Sequence, residues 1–530
     1  MGAKPRVAAT ASDEAELAGW CARVENRDAN DTATEALVRA IRSGADPLGT
    51  AFCHLRSPRE RRHSGATYTP PAIVDAMVAW AEQNGEPVRV VDPGAGSGRF
   101  LMRAARAFPR ARLVGIERDP LAAAIARANA AAAGFAARCD ILCADYREVR
   151  LPDAHGPTLF IGNPPYVRHH RLARRWKLWL RETAARHGLD ASGLAGLHVH
   201  FFLATAEHAR PGDFGAFITA SEWLDVNYGA LVRALLAGPL GLVRLDLLAP
   251  QLAAFADAHT TAVISCFRPG ETTAPARVRR IDHIDQLRPL AGGRAIGRRT
   301  LATGQRWSQL GRRASHRPDH IELGELCRVH RGQVTGANRV WIAGAATPEL
   351  PRRFLRSTIT RARELFESAG ALRSATHLRR VVDLPEDLTS LNPRERRQVD
   401  AFLAWAQRAG AHERYVARHR NPWWAVKLYA PAPILATYMA RRPPAFVRNR
   451  IGARHINIAH GLYPRDELSP ACLDALATYL ACSVSTDDGR TYAGGLTKYE
   501  PREMERLLVP TPAVLEQMAS QACIRAGPRR

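Results

Sequence analysis

The 530-residue sequence predicts an α/β fold: a mostly parallel sheet with helices on both faces, a helical extension before it and an α+β part after it. Three observations predict it. Short apolar runs alternate with stretches of helical periodicity, the order that builds parallel sheets. The run Val88 to Val91 passes straight into the glycine loop Asp92-Pro93-Gly94-Ala95-Gly96-Ser97-Gly98 and then a helix. Each later run ends in polar residues, and open sheets of this kind bind ligands at the carboxyl ends of their strands.

Composition bounds the rest. The length suggests two or three domains. A hydrophobic content of 46% is ample for packed cores. No apolar run reaches membrane-spanning length, and Met1-Gly2-Ala3-Lys4-Pro5 lacks the apolar stretch of a signal peptide. A cytoplasmic protein with no membrane partner is expected. The nine cysteines are scattered, as reduced thiols would be. The formal charge of +24 is unevenly spread. Residues 271–530 hold 43 basic against 24 acidic side chains, a net +19, which leaves +5 for residues 1–270. A near-neutral front and a basic back suggest a catalytic module joined to one that binds a polyanion.

Four segments follow in order. Residues 1–60 read as a helical extension, with apolar residues at helical spacing over 13–24 and 32–42, and carry no evident chemistry. Residues 61–270 carry the motifs. Gly65-Ala66-Thr67-Tyr68-Thr69-Pro70-Pro71 leads into a helix over 72–82, with Thr69 placed to cap it and Pro70 at its start. The glycine loop lets a backbone approach a ligand closely. The second strand, 112–116, ends in Glu117, about 20 residues beyond that loop, where a carboxylate suits a ribose diol. A surface carboxylate is the plainer alternative. The third strand, 139–143, ends in Asp145 and Tyr146, which suit an amino group and an aromatic ring.

The fourth strand, 158–161, opens into Asn163-Pro164-Pro165-Tyr166. The prolines fix φ and remove two backbone donors. The Asn163 amide oxygen and the Pro164 carbonyl can each accept an N–H of a planar amine, while Tyr166 packs on its ring. An ordinary strand-ending turn is the bland alternative.

These residues resemble the S-adenosylmethionine-dependent methyltransferases of class I, with their Rossmann-like sheet. More narrowly they resemble the γ-subclass, TaqI-like DNA adenine-N6 methyltransferases of type II restriction–modification systems. The resemblance covers residues 60–270 well and extends loosely to about 510. It implies S-adenosyl-L-methionine as cofactor, held by Thr69, Pro70, Asp92, Gly94, Gly96, Gly98, Glu117, Asp145 and Tyr146. It implies Asn163, Pro164, Pro165 and Tyr166 as the catalytic segment, with Phe255 stacking on a flipped adenine. A core Phe beside a strand is an equal reading of Phe255.

Residues 271–320, rich in Arg, Pro and Gly, read as a connector, and 321–530 as a target-recognition domain. Arg331-Gly332-Gln333-Val334-Thr335-Gly336 resembles the start of the family's recognition region. Asn421-Pro422-Trp423-Trp424 and Arg448-Asn449-Arg450 mix aromatic and basic residues as nucleic-acid surfaces do, though core and solvated loop fit equally. Lys498 suits a phosphate. The expected partners are double-stranded DNA and a restriction endonuclease on a separate chain, for a monomeric enzyme. No metal is expected, since the histidine pairs 169/170, 198/200 and 316/320 lack ligand partners at suitable spacing. Two rivals share the motifs: a methyltransferase of RNA or protein glutamine, and a DNA-binding specificity protein with a vestigial fold.

Overall fold

The computed structural model describes residues 11–26, 32–57, 60–61, 68–249, 252, 262–304, 306–310, 319–492 and 496–526. The chain divides into two compact units with the boundary between residues 313 and 314.

Among the described residues the first unit is built on nine strands: β1 (Arg89–Asp92), β2 (Arg112–Glu117), β3 (Cys139–Cys143), β4 (Thr158–Gly162), β5 (Phe214–Ala220), β6 (Leu242–Leu248), β7 (Ala262–Phe267), β8 (Ala276–Ile281) and β9 (Arg294–Ile296). Their order in the sheet is β3-β2-β1-β4-β5-β7-β6-β8-β9. Strands β1 to β5 pair in parallel, and β7 enters antiparallel between β5 and β6. The chain builds outward from β1 to β3 and then returns to lay β4 on the other side of β1. Such a reversal opens a crevice at the carboxyl ends of the two adjacent strands.

Neighbouring residues of one strand serve opposite cores. Val91, Phe160 and Phe217 pack on one face of the sheet. Val90, Leu159, Ile161, Ala216 and Ile218 pack on the other. A sheet buried on both faces therefore reads as a continuous apolar run, as the sequence does here. The helices end on recognisable signals. The helix Pro120–Ala133 is capped by Asp119, whose carboxylate accepts from the Leu121 and Ala122 amides, and closes on Gly134 at φ +83°. The helix Pro71–Glu82 has Pro70 at its cap position and no side-chain cap. Thr69, expected to cap it, lies one residue too early and uses its hydroxyl elsewhere.

Two strands within the connector expected over 271–320 join the sheet of the first unit. β8 pairs in parallel with β6 and antiparallel with β9. Its sequence alternates, with Ala276, Val278 and Ile281 buried and Arg277 and Arg280 outside. Trp307, fully buried, lies 6.0 Å from Trp223 and donates to the Leu301 carbonyl. Arg279 looked like loop composition, yet with buried Arg244 it pairs with the fully buried Asp246.

The extension holds α1 (Glu14–Asn26), α2 (Thr32–Arg42) and α3 (Pro47–Leu55). Leu17, Val24, Leu37, Ile41 and Phe52 pack with Ile125 and Ala128 of the helix Pro120–Ala133.

The second unit is α+β. A five-stranded sheet takes Cys327–Arg331, Ala459–Pro464, Ile434–Thr437, Phe446–Asn449 and Ala371–Leu372, accompanied by three smaller sheets and the helices Pro393–Arg408, Pro470–Ser483 and Pro512–Ala526. Trp423 and Trp424, both half-buried, pack against its core. Trp423 packs on Trp341, and Trp424 donates to the Pro385 carbonyl at 3.2 Å. Arg448 and Arg450 both pair with Asp474, and Lys498 pairs with Glu500.

Candidate active site

Strands β1 and β4 lie side by side, Val91 opposite Phe160, so the loops that follow them emerge together. Gly162, the last residue of β4, has no room for a side chain, because a Cβ would fall 2.5 Å from the Asp92 carboxylate. Asp92 is fully buried and accepts from the Gly94 amide at 3.3 Å. Burial, opposed by that bond and helped by Glu117, pushes its carboxyl up to about 8.

Beyond these loops lies a cavity of about 350 Å³, within the ~300–1,000 Å³ typical of small-ligand sites. Thr69, Gly94, Gly96, Glu117, Asp145, Tyr146 and Asn163 line it. Pro70, Asp92 and Gly98 stand behind it. Asp92 braces Gly94, while Gly98, at φ +86°, turns the chain into the helix Arg99–Ala107. Glu117 accepts from the Asp119 amide at 2.8 Å and the Gly96 amide at 2.9 Å. Burial raises its pKa, and those two bonds oppose the rise.

Asp145 and Tyr146 line the cavity and also have partners within the protein. The Asp145 carboxylate is held by Arg147, Nε at 2.8 Å and Nη2 at 2.6 Å. Burial pushes its pKa up, but Arg147 wins and the group sits below its usual value. The Arg147 guanidinium in turn lies 3.5 Å from the Trp176 ring centre. Tyr146 is 1% exposed, shares a hydrogen bond with the Thr205 hydroxyl at 3.1 Å and packs on Phe201. Its ring belongs to the core first, and the side of the cavity expected of Tyr146 is shared with Phe201.

Asn163 is clamped from both ends. Its Nδ2 donates to the Thr69 hydroxyl at 3.1 Å, and its Oδ1 accepts from the Tyr166 hydroxyl at 2.8 Å. The Thr-Pro-Pro element and the Asn-Pro-Pro-Tyr motif, 94 residues apart, thus form one hydrogen-bonded unit. Pro164 is buried, and Pro165 and Tyr166 are half-buried. Phe255 lies outside the described residues.

Sequence reasoning missed several wall residues. Phe52 of α3, Tyr68, Arg147 and Phe201 all line the cavity. Tyr68 stood next to a motif; nothing marked Phe52. His198 and His200, in the helix Leu197–His208, are buried, which pushes their imidazoles down to about 4 and about 3. Among the described residues no helix is long and apolar enough to cross a membrane.

Known proteins resemble both units. The family model for the C-terminal domain of type II methyltransferase M.Eco57I matches residues 303–526, and a methyltransferase-domain model matches 90–182. Type II methyltransferase M.XamI of Xanthomonas campestris pv. amaranthicola is 52% identical over 467 residues, 88% of this chain and 87% of that one. Type II methyltransferase M.AccI of Acinetobacter calcoaceticus is 21% identical over 485 residues, 88% of each. The solved structure of the type IIL restriction–modification enzyme MmeI in complex with DNA shares the fold at 13% identity. Its TM-score is 0.56, over 92% of this chain and 74% of that one.

Proposed function

This chain belongs to the type II restriction–modification DNA methyltransferases, and we propose that it methylates N6 of adenine in double-stranded DNA. S-adenosyl-L-methionine is the methyl donor of this class. The cavity fits it: the half-buried carboxylate of Glu117 suits the ribose diol, and Ile116, Tyr68 and Phe201 offer apolar walls for a planar base. Asp145, already bound to Arg147, keeps lone pairs for an adenine amino group.

The clamped amide of Asn163 carries the reading. Bound in this cavity, the cofactor supplies an electrophilic methyl group. Asn163 and the Pro164 carbonyl accept the two N–H groups of the target amine and so aim its lone pair. As positive charge develops on the nitrogen, the two oxygens stabilise it without having to reorient. Thr69 and Tyr166 fix the amide plane before the substrate arrives. No strong base is needed, because the methylated, cationic amine loses its proton readily. The target lies inside the duplex stack and must be flipped out, at a cost of a few kcal/mol. Contacts from the basic second unit offset that cost.

The same reading makes the enzyme a cytoplasmic monomer of the γ subclass. It protects host DNA from a restriction endonuclease carried on a separate chain. Sequencing DNA from a host that expresses the protein, with detection of modified bases, tests it. N6-methyladenine at one short recurring sequence is expected; methylation on cytosine, or none, refutes it.

A further inference from the structure

The proposed reaction uses nothing from the helical extension. Two of the loops that enclose the cofactor cavity are nonetheless held from it.

Asp46 is the N-cap of α3 and accepts there from the Gly49 amide at 2.9 Å. One such bond completes a helix cap. The same carboxylate also accepts from the Ser97 hydroxyl at 2.6 Å, Arg99 Nε at 2.7 Å and Asn129 Nδ2 at 3.2 Å. Asn129 closes the circuit by donating to the Ser97 carbonyl at 2.9 Å. A single carboxylate, 15% exposed, thereby ties the glycine loop to the helices on either side of it. Arg99 donates onward to the Thr69 carbonyl at 3.2 Å, and Thr69 holds Asn163.

Ten residues later the extension grips the next loop. Arg56 pairs with Asp119, which follows Glu117 at the end of β2, and its Nε lies 2.7 Å from Glu14 of α1. Phe52 stands between the two grips, lines the cavity and meets the Tyr68 ring at 6.0 Å.

We propose that Asp46 and Arg56 are positioning residues for S-adenosyl-L-methionine: through them the extension holds the loops after β1 and β2 in the form that binds it. Cofactor affinity then depends on side chains outside every recognised motif. The inference rests on the cavity being the cofactor site.

The test is calorimetric titration of the full chain with S-adenosyl-L-methionine. Asp46→Ser keeps a good helix cap but is too short to reach Ser97 and Arg99. Loss of these charge-assisted bonds is expected to weaken binding about tenfold. A role confined to capping or packing predicts the parental affinity, and a dissociation constant within twofold of the parent overturns the proposal. Should Asp46→Ser fail to fold, Arg56→Ala decides by the same criterion. Glu117→Ala serves as the control. If it weakens binding and the Asp46 variant does not, only the positioning role falls. If neither changes binding, the cavity is not the cofactor site.

Discussion

The two units spend their polar residues differently. In the first, a sheet covered on both faces leaves only its strand ends for chemistry, and Asp92, Glu117, Asp145 and Asn163 all sit there. In the second, four small sheets spread polar residues over many short strands and loops. The positive charge there does not translate into free cations position by position: Arg448, Arg450 and Lys498 all have acidic partners within the unit. Net charge identifies the kind of partner, while strand-end position identifies individual residues. Candidate residues can be picked one at a time in the first unit; in the second only the collective charge singles out a candidate.

Four measurements can break or sharpen that contrast. The largest effect concerns where the first unit ends. Trp307→Ala is expected to lower stability by about 3–5 kcal/mol in denaturant titration, because it empties a fully buried site against Trp223. A loss below about 1 kcal/mol would return residues 271–313 to the status of a connector. Next comes the collective charge. With roughly six or more phosphate contacts, raising salt from about 50 to about 200 mM should weaken duplex binding about a thousandfold. Cofactor binding in the same buffers should change less than about twofold, since its site is a local one. A flat salt response for DNA would dissolve the contrast.

Asn163→Ala is expected to reduce single-turnover methyl transfer by about a hundred- to a thousandfold, on the scale of losing one preorganised oxyanion-hole donor. DNA and cofactor affinities should stay near parental values, because the loss falls on the transition state. Near-parental turnover would reduce the motif to a turn. The smallest effect is expected from Glu117→Ala, about 1–3 kcal/mol of cofactor affinity by calorimetry. Unchanged affinity would remove Glu117 from the site.

Much of the first unit was legible in the sequence for a physical reason. β1, β2, β4 and β5 are buried on both faces, so they read as apolar runs, and each stops where polar residues begin. β8 was missed because only alternate residues are buried. Its arginines imitate a loop until Asp246, on β6, is seen to pair with Arg279. Asp145 was found as a strand-end carboxylate, but its Arg147 partner and the Trp176 beneath that guanidinium depend on packing no spacing rule encodes. Asp46 and Phe52 were invisible for the same reason, since their partners lie about fifty residues or more along the chain or across a cavity. Trp423 and Trp424 stood open between a nucleic-acid face and core packing, and spacing alone could not show that both, half-buried, pack against a core.

The outer strand β9 has a bearing on how the molecule behaves in a crowded solution. A sheet that ends in a long apolar strand offers its unpaired backbone groups to any neighbour that can add a strand of its own. Here the last strand is three residues long, and Arg294 within it and Arg277 on β8 face outward. Few backbone groups remain for an intruding strand, and a second copy would bring the same positive charges to meet them. The far edge, β3, carries Asp140 as its second residue, paired with Arg112 on β2, and its exposed residues Leu142 and Cys143 come only at its end. The sheet that carries the chemistry is thus guarded against edge-to-edge aggregation by shortness and charge at one side, and by a single ion pair at the other.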